Sequence, residues 1–369
     1  MFTYEEGRVM LATSVAQLSQ ESIKPGIGAR VFNSKQELLS GQFAREIREL
    51  LEQRGVLVFP QIHFSDTEQI AFTRTLGTFC PEASDGQNIT KISLDVKENP
   101  AGAEFLKGSL YWHIDGTSSD SPILASLLSC KVAASWGGNT GFCNTYAAYE
   151  ALSSADKQRY ESLRVIHAPW ASLLYYNPEP GLAMLKAMQA IGEKELPLVW
   201  RHRSGRKSLI LGCTAQQVVG LSLAQSAQIL VGLREWATAE TFSYSHAWQV
   251  GDLVIWDNTG TMHRAEAYDP ECGRMMHRTK LQGEEPFAQL HPDISAPFQG
   301  AQCGALPFHL AVNGTVDMGI HRTSAQGGQD VLGQPASQRA VFRNVMVNQQ
   351  GEDCRLADQQ AFLPFAVGQ

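Results

Sequence analysis

The sequence predicts a mainly β fold of sandwich or jelly-roll type, interrupted by helical insertions. Two observations lead there. Short β-prone runs recur from about residue 85 onward: "NITKISLDV", "ILASLLSCKVAA", "SLRVIHA", "KSLILG" and "GDLVIWD", separated by Gly, Asn, Pro and Ser. The helix–strand–helix pattern that precedes them has no glycine-rich phosphate loop after either helix, so a nucleotide-binding α/β sheet has no chemistry behind it.

Taken in order, residues 35–55 place Leu38, Leu39, Phe43, Ile47, Leu50 and Leu51 at helical spacing, and Gly55 ends the run. "VLVFP" (56–60) reads as a short buried strand before a proline. Residues 65–79 read as a helix capped by Asp66, with Gln69 three residues on as in a capping box. Two further helical stretches, 145–163 and 222–240, interrupt the strand-rich body. Residues 296–369 are rich in Gly and Gln and carry no metal-like cluster. They form either an additional strand-and-loop segment packed on the core or a tail, which divides the chain into 1–295 and 296–369.

Hydrophobic residues make up 43% of the 369-residue chain, ample for a core. The formal net charge of -7 argues against a nucleic-acid-binding surface, which is normally basic. Seven widely spaced cysteines fit buried thiols in a reducing compartment better than a disulfide framework or a cysteine-rich zinc site. The acidic N-terminal stretch makes a poor secretory signal, and no apolar run approaches bilayer length. These features lead to the expectation of a soluble cytoplasmic protein without membrane or nucleic-acid partners.

Chemistry concentrates in two segments. In "GSLYWHIDGTSSDSP" (108–122) His113 and Asp115 are two apart, so on a continuing strand both point to one side and could meet one ion. Two histidines and one carboxylate hold non-haem Fe(II) while leaving coordination positions open. The second histidine is sought in residues 251–283, where His263 follows the strand-like "GDLVIWDN". Further on, Arg274 and Arg278 stand four apart, on one face of a strand, with His277 on the other. Arginine suits two-point capture of a carboxylate, and two of them on one wall could hold two anions. A polar turn and a basic surface hairpin are the plain alternatives.

With "HID" at 113–115, "GGNT" at 137–140, "WDN" at 256–258, "HRA" at 263–265 and "RMMHR" at 274–278, the chain resembles the TauD/TfdA family of Fe(II)- and 2-oxoglutarate-dependent dioxygenases over roughly residues 35–285. The resemblance implies a double-stranded β-helix, with dimers or higher oligomers common. It makes His113, Asp115 and His263 ligands of Fe(II), with Thr140 and Arg274 on the distal carboxylate of 2-oxoglutarate and O2 as second co-substrate. It places Arg278 at the acidic group of a small anionic substrate, and Asn88 offers an amide to the same pocket. Two departures are visible: the polar "GTSSDSP" follows Asp115 where members commonly have hydrophobic or aromatic residues, and Thr259 replaces an arginine after "WDN". Asp115 argues against a halogenase, whose chloride site needs that carboxylate removed.

The implied reaction hydroxylates an aliphatic C–H of a carboxylate, sulfonate or sulfate ester, with succinate and CO2 as co-products. Desaturation, cyclisation or epimerisation in a biosynthetic pathway is the nearest rival. A metal-dependent hydrolase or isomerase on a jelly roll comes next, but it has no use for Thr140 and Arg274 as a clamp.

Overall fold

A computed structural model describes residues 17–81, 88–100 and 102–287. The first helical run is two helices. Ser34 caps Lys35–Leu39 in a closed capping box with Glu37. Gly41 then turns the chain at φ 74°, and Ala44–Arg54 starts afresh. Helix Asp66–Leu76 is capped one residue earlier than the sequence suggests, by Ser65 with Glu68 in place of Asp66 with Gln69. The reason is visible in what the displaced pair does. Gln69 is buried, donating to the carbonyl of His277 at 3.0 Å and accepting from the Ser129 hydroxyl at 2.7 Å. Asp66 pairs with Lys131 at 3.1 Å and with His277 at 2.8 Å.

Among the described residues the ladders form four sheets, of eight, three, three and two strands, and no closed barrel. In the largest, the order is Gln20–Ser22, Ala29–Val31, Val56–Phe59, Leu253–Asp257, Ala125–Val132, Met275–Leu281 and Phe79–Cys80, with Thr90–Ile92 also on Met275–Leu281. Among the described pairings only that of Ala29–Val31 with Val56–Phe59 is parallel. This sheet is covered on both sides, which explains its uninterrupted apolar runs. Leu57, Phe59, Leu127 and Ile255 pack with Ile47, Leu51, Phe72 and Leu76 of the helices. Val56, Val58, Leu128, Val254, Trp256 and Met276 pack on the other side with Phe142.

Phe142 belongs to the three-stranded sheet Ser243–His246, Thr140–Asn144 and Thr261–Ala265, and its ring lies 5.6 Å from that of Trp256. Trp256 and Phe142 thus join the two sheets that carry the functional motifs. A further cluster, containing Trp200, Leu196 and Leu230, gathers strands Arg164–His167, Lys194–Pro197 and Val199–Arg201 with helix Leu223–Ala237.

Among the described residues helices take a share comparable to that of the strands, so the sheets are mixed with more helix than insertions alone would give. Residues 145–163 hold two helices, Thr145–Glu150 and Ser154–Glu161, and helices Pro169–Tyr176 and Leu182–Gln189 occupy a stretch with loop-like punctuation. Pro169 at the first helical turn is the local signal for the former. Among the described residues no helix is long and apolar enough to cross a membrane. Residues 296–369, and with them the boundary at 295, lie outside the described residues.

Candidate active site

Tyr111–Asp115 is not the continuing strand that the His–x–Asp spacing suggests. A single antiparallel bridge joins His113 to His263, each N–H donating to the other's carbonyl, at 3.0 and 2.9 Å. Being cross-strand partners, the two imidazoles lie side by side, 4.1 Å between ring centres. Asp115 then reaches back from the following turn. Its Oδ1 stands 3.6 Å from His113 Nε2 and its Oδ2 3.7 Å from His263 Nε2. One ligand atom from each of the three residues lies within 4.8 Å of the others.

The protonation pattern follows from the neighbours. His113 Nδ1 is 2.8 Å from the Tyr111 carbonyl and so carries the ring proton, which leaves a lone pair on Nε2. Burial pushes His263 down to about 3, helped by His113 and Arg278 against the pull of Asp115, so its ring is neutral at physiological pH. Burial pushes the Asp115 carboxyl up, but His263, His113, Arg278 and the Ser126 hydroxyl together hold it down to about 2. Arg278 is charged at any physiological pH and so pulls on the carboxylate throughout. Two imidazole lone pairs and a carboxylate therefore face one another, acceptor against acceptor. A divalent cation between them relieves that opposition, and the donor set suits Fe(II).

Arg274 lies just ahead of strand Met275–Leu281 and is 3% exposed. Its Nη2 donates to the Gly138 carbonyl at 3.1 Å and its guanidinium lies 4.7 Å from the centre of the Tyr268 ring. Its Nε is buried without a hydrogen-bond partner, and no carboxylate pairs with it among the described residues. Burial lowers its pKa, partly offset by Tyr268. The double glycine makes room for it. Gly137 and Gly138 take φ of 60° and 68°, and a Cβ on Gly138 would stand 3.1 Å from Arg274 Nε. Nearby, buried Thr140 accepts from Trp248 Nε1 at 2.9 Å, so its own hydroxyl hydrogen points elsewhere and can serve a carboxylate.

A register shift between Met275 and Met276 breaks the simple alternation by which Arg274 and Arg278 were expected to share a face. Arg278 nevertheless acts on both Asp115 and His263. His277 faces the other way, onto Asp66, as expected. Asn88 is exposed, two residues before Thr90, the ladder partner of Arg278. His246 and His202, without acidic partners at ligand spacing, find them in the folded chain, Asp252 across a turn at 3.0 Å and Glu285 across the fold at 3.3 Å. Sequence reading missed Trp248, Tyr268 and Ser126, whose relevance arises from contacts with Thr140, Arg274 and Asp115 that only the folded chain makes.

Asp257 of "WDN" is buried and accepts from the Thr259 N–H and hydroxyl at 2.8 and 2.6 Å. Burial nevertheless raises its pKa to about 6. A raised carboxyl stabilises the fold below its unfolded value, and that contribution is lost as pH rises through the folded value. Thermal melts should therefore show Asp257→Asn gaining on wild type as pH rises from 4 to 7, to about 1–3 kcal/mol at pH 8. Parallel melting profiles for the two proteins would refute it.

Residues 19–280 match the family described as taurine catabolism dioxygenase TauD, TfdA family. The chain is 34% identical over 259 residues to an alpha-ketoglutarate-dependent 2,4-dichlorophenoxyacetate dioxygenase of Cupriavidus pinatubonensis, covering 66% of this chain and 89% of that one. It is 34% identical to an (S)-phenoxypropionate/alpha-ketoglutarate-dioxygenase of Sphingobium herbicidovorans, covering 62% of this chain and 83% of the relative. Among solved structures it is similar to AAD-2 in complex with Mn(II) and N-oxalylglycine, with a TM-score of 0.63 and 29% identity over 74% of this chain and all of that one. The chain belongs to the TauD/TfdA family, and the protein is an Fe(II)- and 2-oxoglutarate-dependent dioxygenase.

Proposed function

We propose that this enzyme hydroxylates an aliphatic C–H of a small organic acid, a carboxylate, sulfonate or sulfate ester, while 2-oxoglutarate is converted to succinate and CO2. Where the hydroxylated carbon bears an ether or ester oxygen, the product breaks at that bond. The likeness to dioxygenases named for phenoxyacetate and phenoxypropionate substrates supports an ether-bearing carboxylate in particular.

In this reading His113, Asp115 and His263 hold Fe(II), which when bound supplies oxygen activation and C–H oxidation. Arg274 and Thr140 anchor the distal carboxylate of 2-oxoglutarate. The observation that carries the proposal is the buried Arg274 guanidinium, without a protein carboxylate among the described residues, in a chain that also gathers the His–Asp–His cluster. A buried charge left alone costs several kcal/mol, and a bound dicarboxylate supplies the missing partner. Arg278 takes the acidic group of the primary substrate and Asn88 contributes an amide at the same edge. The eight-stranded sheet and the Thr140–Asn144 sheet would be the two walls of a double-stranded β-helix, within a dioxygenase domain spanning 1–295 followed by an extension. Free thiols at Cys80, Cys130, Cys143, Cys213 and Cys272 support a cytoplasmic setting. Oligomerisation is proposed from the family's habit.

The test is a screen of sulfonates, sulfate esters and aryloxy or aliphatic carboxylates by succinate release, followed by Arg278→Lys. Lysine keeps the charge and loses the planar fork, so substrate KM should rise about tenfold, on the scale of one hydrogen bond to a charged group. The 2-oxoglutarate requirement should stay nearly constant. An uncharged best substrate, or an effect confined to 2-oxoglutarate, would reject this pocket assignment.

A further inference from the structure

Behind Asp115 runs a chain of buried hydrogen bonds whose direction can be read without ambiguity. Trp256 Nε1, which can only donate, gives its hydrogen to Asn258 Oδ1 at 3.0 Å. That fixes the Asn258 amide, whose Nδ2 donates to Ser126 Oγ at 3.2 Å. Ser126, having accepted, turns its own hydrogen to Asp115 Oδ2 at 3.3 Å. Ser126 and Asn258 are fully buried and Trp256 is 3% exposed, so water does not compete for these positions. The backbone holds the chain in register, because Trp256 and Ser126 are direct ladder partners and the Asn258 N–H donates to the Leu124 carbonyl at 2.9 Å.

We propose that Trp256, Asn258 and Ser126 are positioning residues that set the affinity of the metal site by orienting the Asp115 carboxylate. This rests on the reading that His113, Asp115 and His263 hold the metal. The Ser126 hydroxyl takes up Oδ2 and leaves Oδ1, the oxygen nearer His113 Nε2, as the one offered to the ion. Holding one oxygen back favours attachment through a single atom, and that keeps a position available for co-substrate. At 3.3 Å the last hydrogen bond is long, so its loss should cost less than loss of a ligand. Partners behind a ligand are worth roughly ten- to a hundredfold in metal affinity, and the lower end is expected here.

Mn(II) titration of the metal-free enzyme, read by the electron paramagnetic resonance of unbound Mn(II), tests this without turnover. Ser126→Ala should weaken Mn(II) binding about tenfold in a protein that still folds, with some loss of melting temperature because Asn258 Nδ2 loses its acceptor. Asn258→Asp offers Ser126 an acceptor, so the hydroxyl should turn away from Asp115 and reproduce the Ser126→Ala loss. The double variant should then be no weaker than Ser126→Ala alone, the non-additivity expected of residues acting through one contact. Unchanged affinity in a folded Ser126→Ala protein overturns the relay, as do fully additive losses in the double variant. Asp115→Ala separates the two readings: if it too leaves Mn(II) binding intact, the metal-site assignment has failed and not the relay alone.

Discussion

Alanine at His113, Asp115 or His263 should abolish substrate-dependent succinate formation while leaving the protein folded. Each residue provides one of the three atoms that converge within 4.8 Å. Partners that merely support a ligand are worth ten- to a hundredfold in metal affinity, so loss of a ligand should exceed about a hundredfold. The cost to the fold is smaller. The side chains of His113 and Asp115 are 15% and 20% exposed, and removing Asp115 takes a carboxylate out of a poorly solvated place. His263 packs on Phe142 and Trp256, so His263→Gln, which fills more of the space, serves beside the alanine variant. Mn(II) titration, melting curves and succinate assays on the same preparations check all three. Near-normal turnover in any one variant would remove that residue from the set.

Arg274→Ala should weaken 2-oxoglutarate binding about ten- to a hundredfold, the equivalent of roughly 1.5–3 kcal/mol for a hydrogen bond to a charged group. The guanidinium is already placed by Tyr268 and the Gly138 carbonyl, so little ordering is required when the carboxylate arrives. Thr140→Ala should do less, removing one neutral donor, although it also leaves Trp248 Nε1 without its acceptor. Metal affinity should be nearly unaffected in both, which separates the clamp from the ligand set. An unchanged 2-oxoglutarate midpoint for Arg274→Ala would reject the role.

The chemistry was legible in the sequence because it is carried by residue types at short spacings. His113 with Asp115, the paired glycines before Thr140, and Arg274 with Arg278 each announce themselves within a few positions. What positions them was not legible. His113 and Asp115 share a side because of one bridge to His263, 150 residues away, and not because a strand continues through them. Ser126 looks like any polar residue within a buried strand until the ladder sets it opposite Trp256. His246 meets Asp252 only through the turn between two strands.

Local signals also mislead where two readings fit. Ser65 and Asp66 are both good helix caps, and tertiary partners for Asp66 and Gln69 decided in favour of Ser65. The apolar run 169–176 has neither strand alternation nor strong helical periodicity, and only Pro169 at its start marks it as a helix.

We propose that one site on this chain binds Fe(II) and 2-oxoglutarate together, through the His–Asp–His cluster and Arg274. Anaerobic addition of Fe(II) and 2-oxoglutarate to the metal-free protein tests it most directly, because the Fe(II)–2-oxoglutarate chelate absorbs visible light by metal-to-ligand charge transfer and no primary substrate is needed. The wild-type protein should develop this band in proportion to added Fe(II) up to one equivalent per chain. Asp115→Ala should not develop it, and Arg274→Ala should require more 2-oxoglutarate. A wild-type protein that binds Fe(II) yet develops no band at saturating 2-oxoglutarate, or a band undiminished in Asp115→Ala, would contradict the assignment.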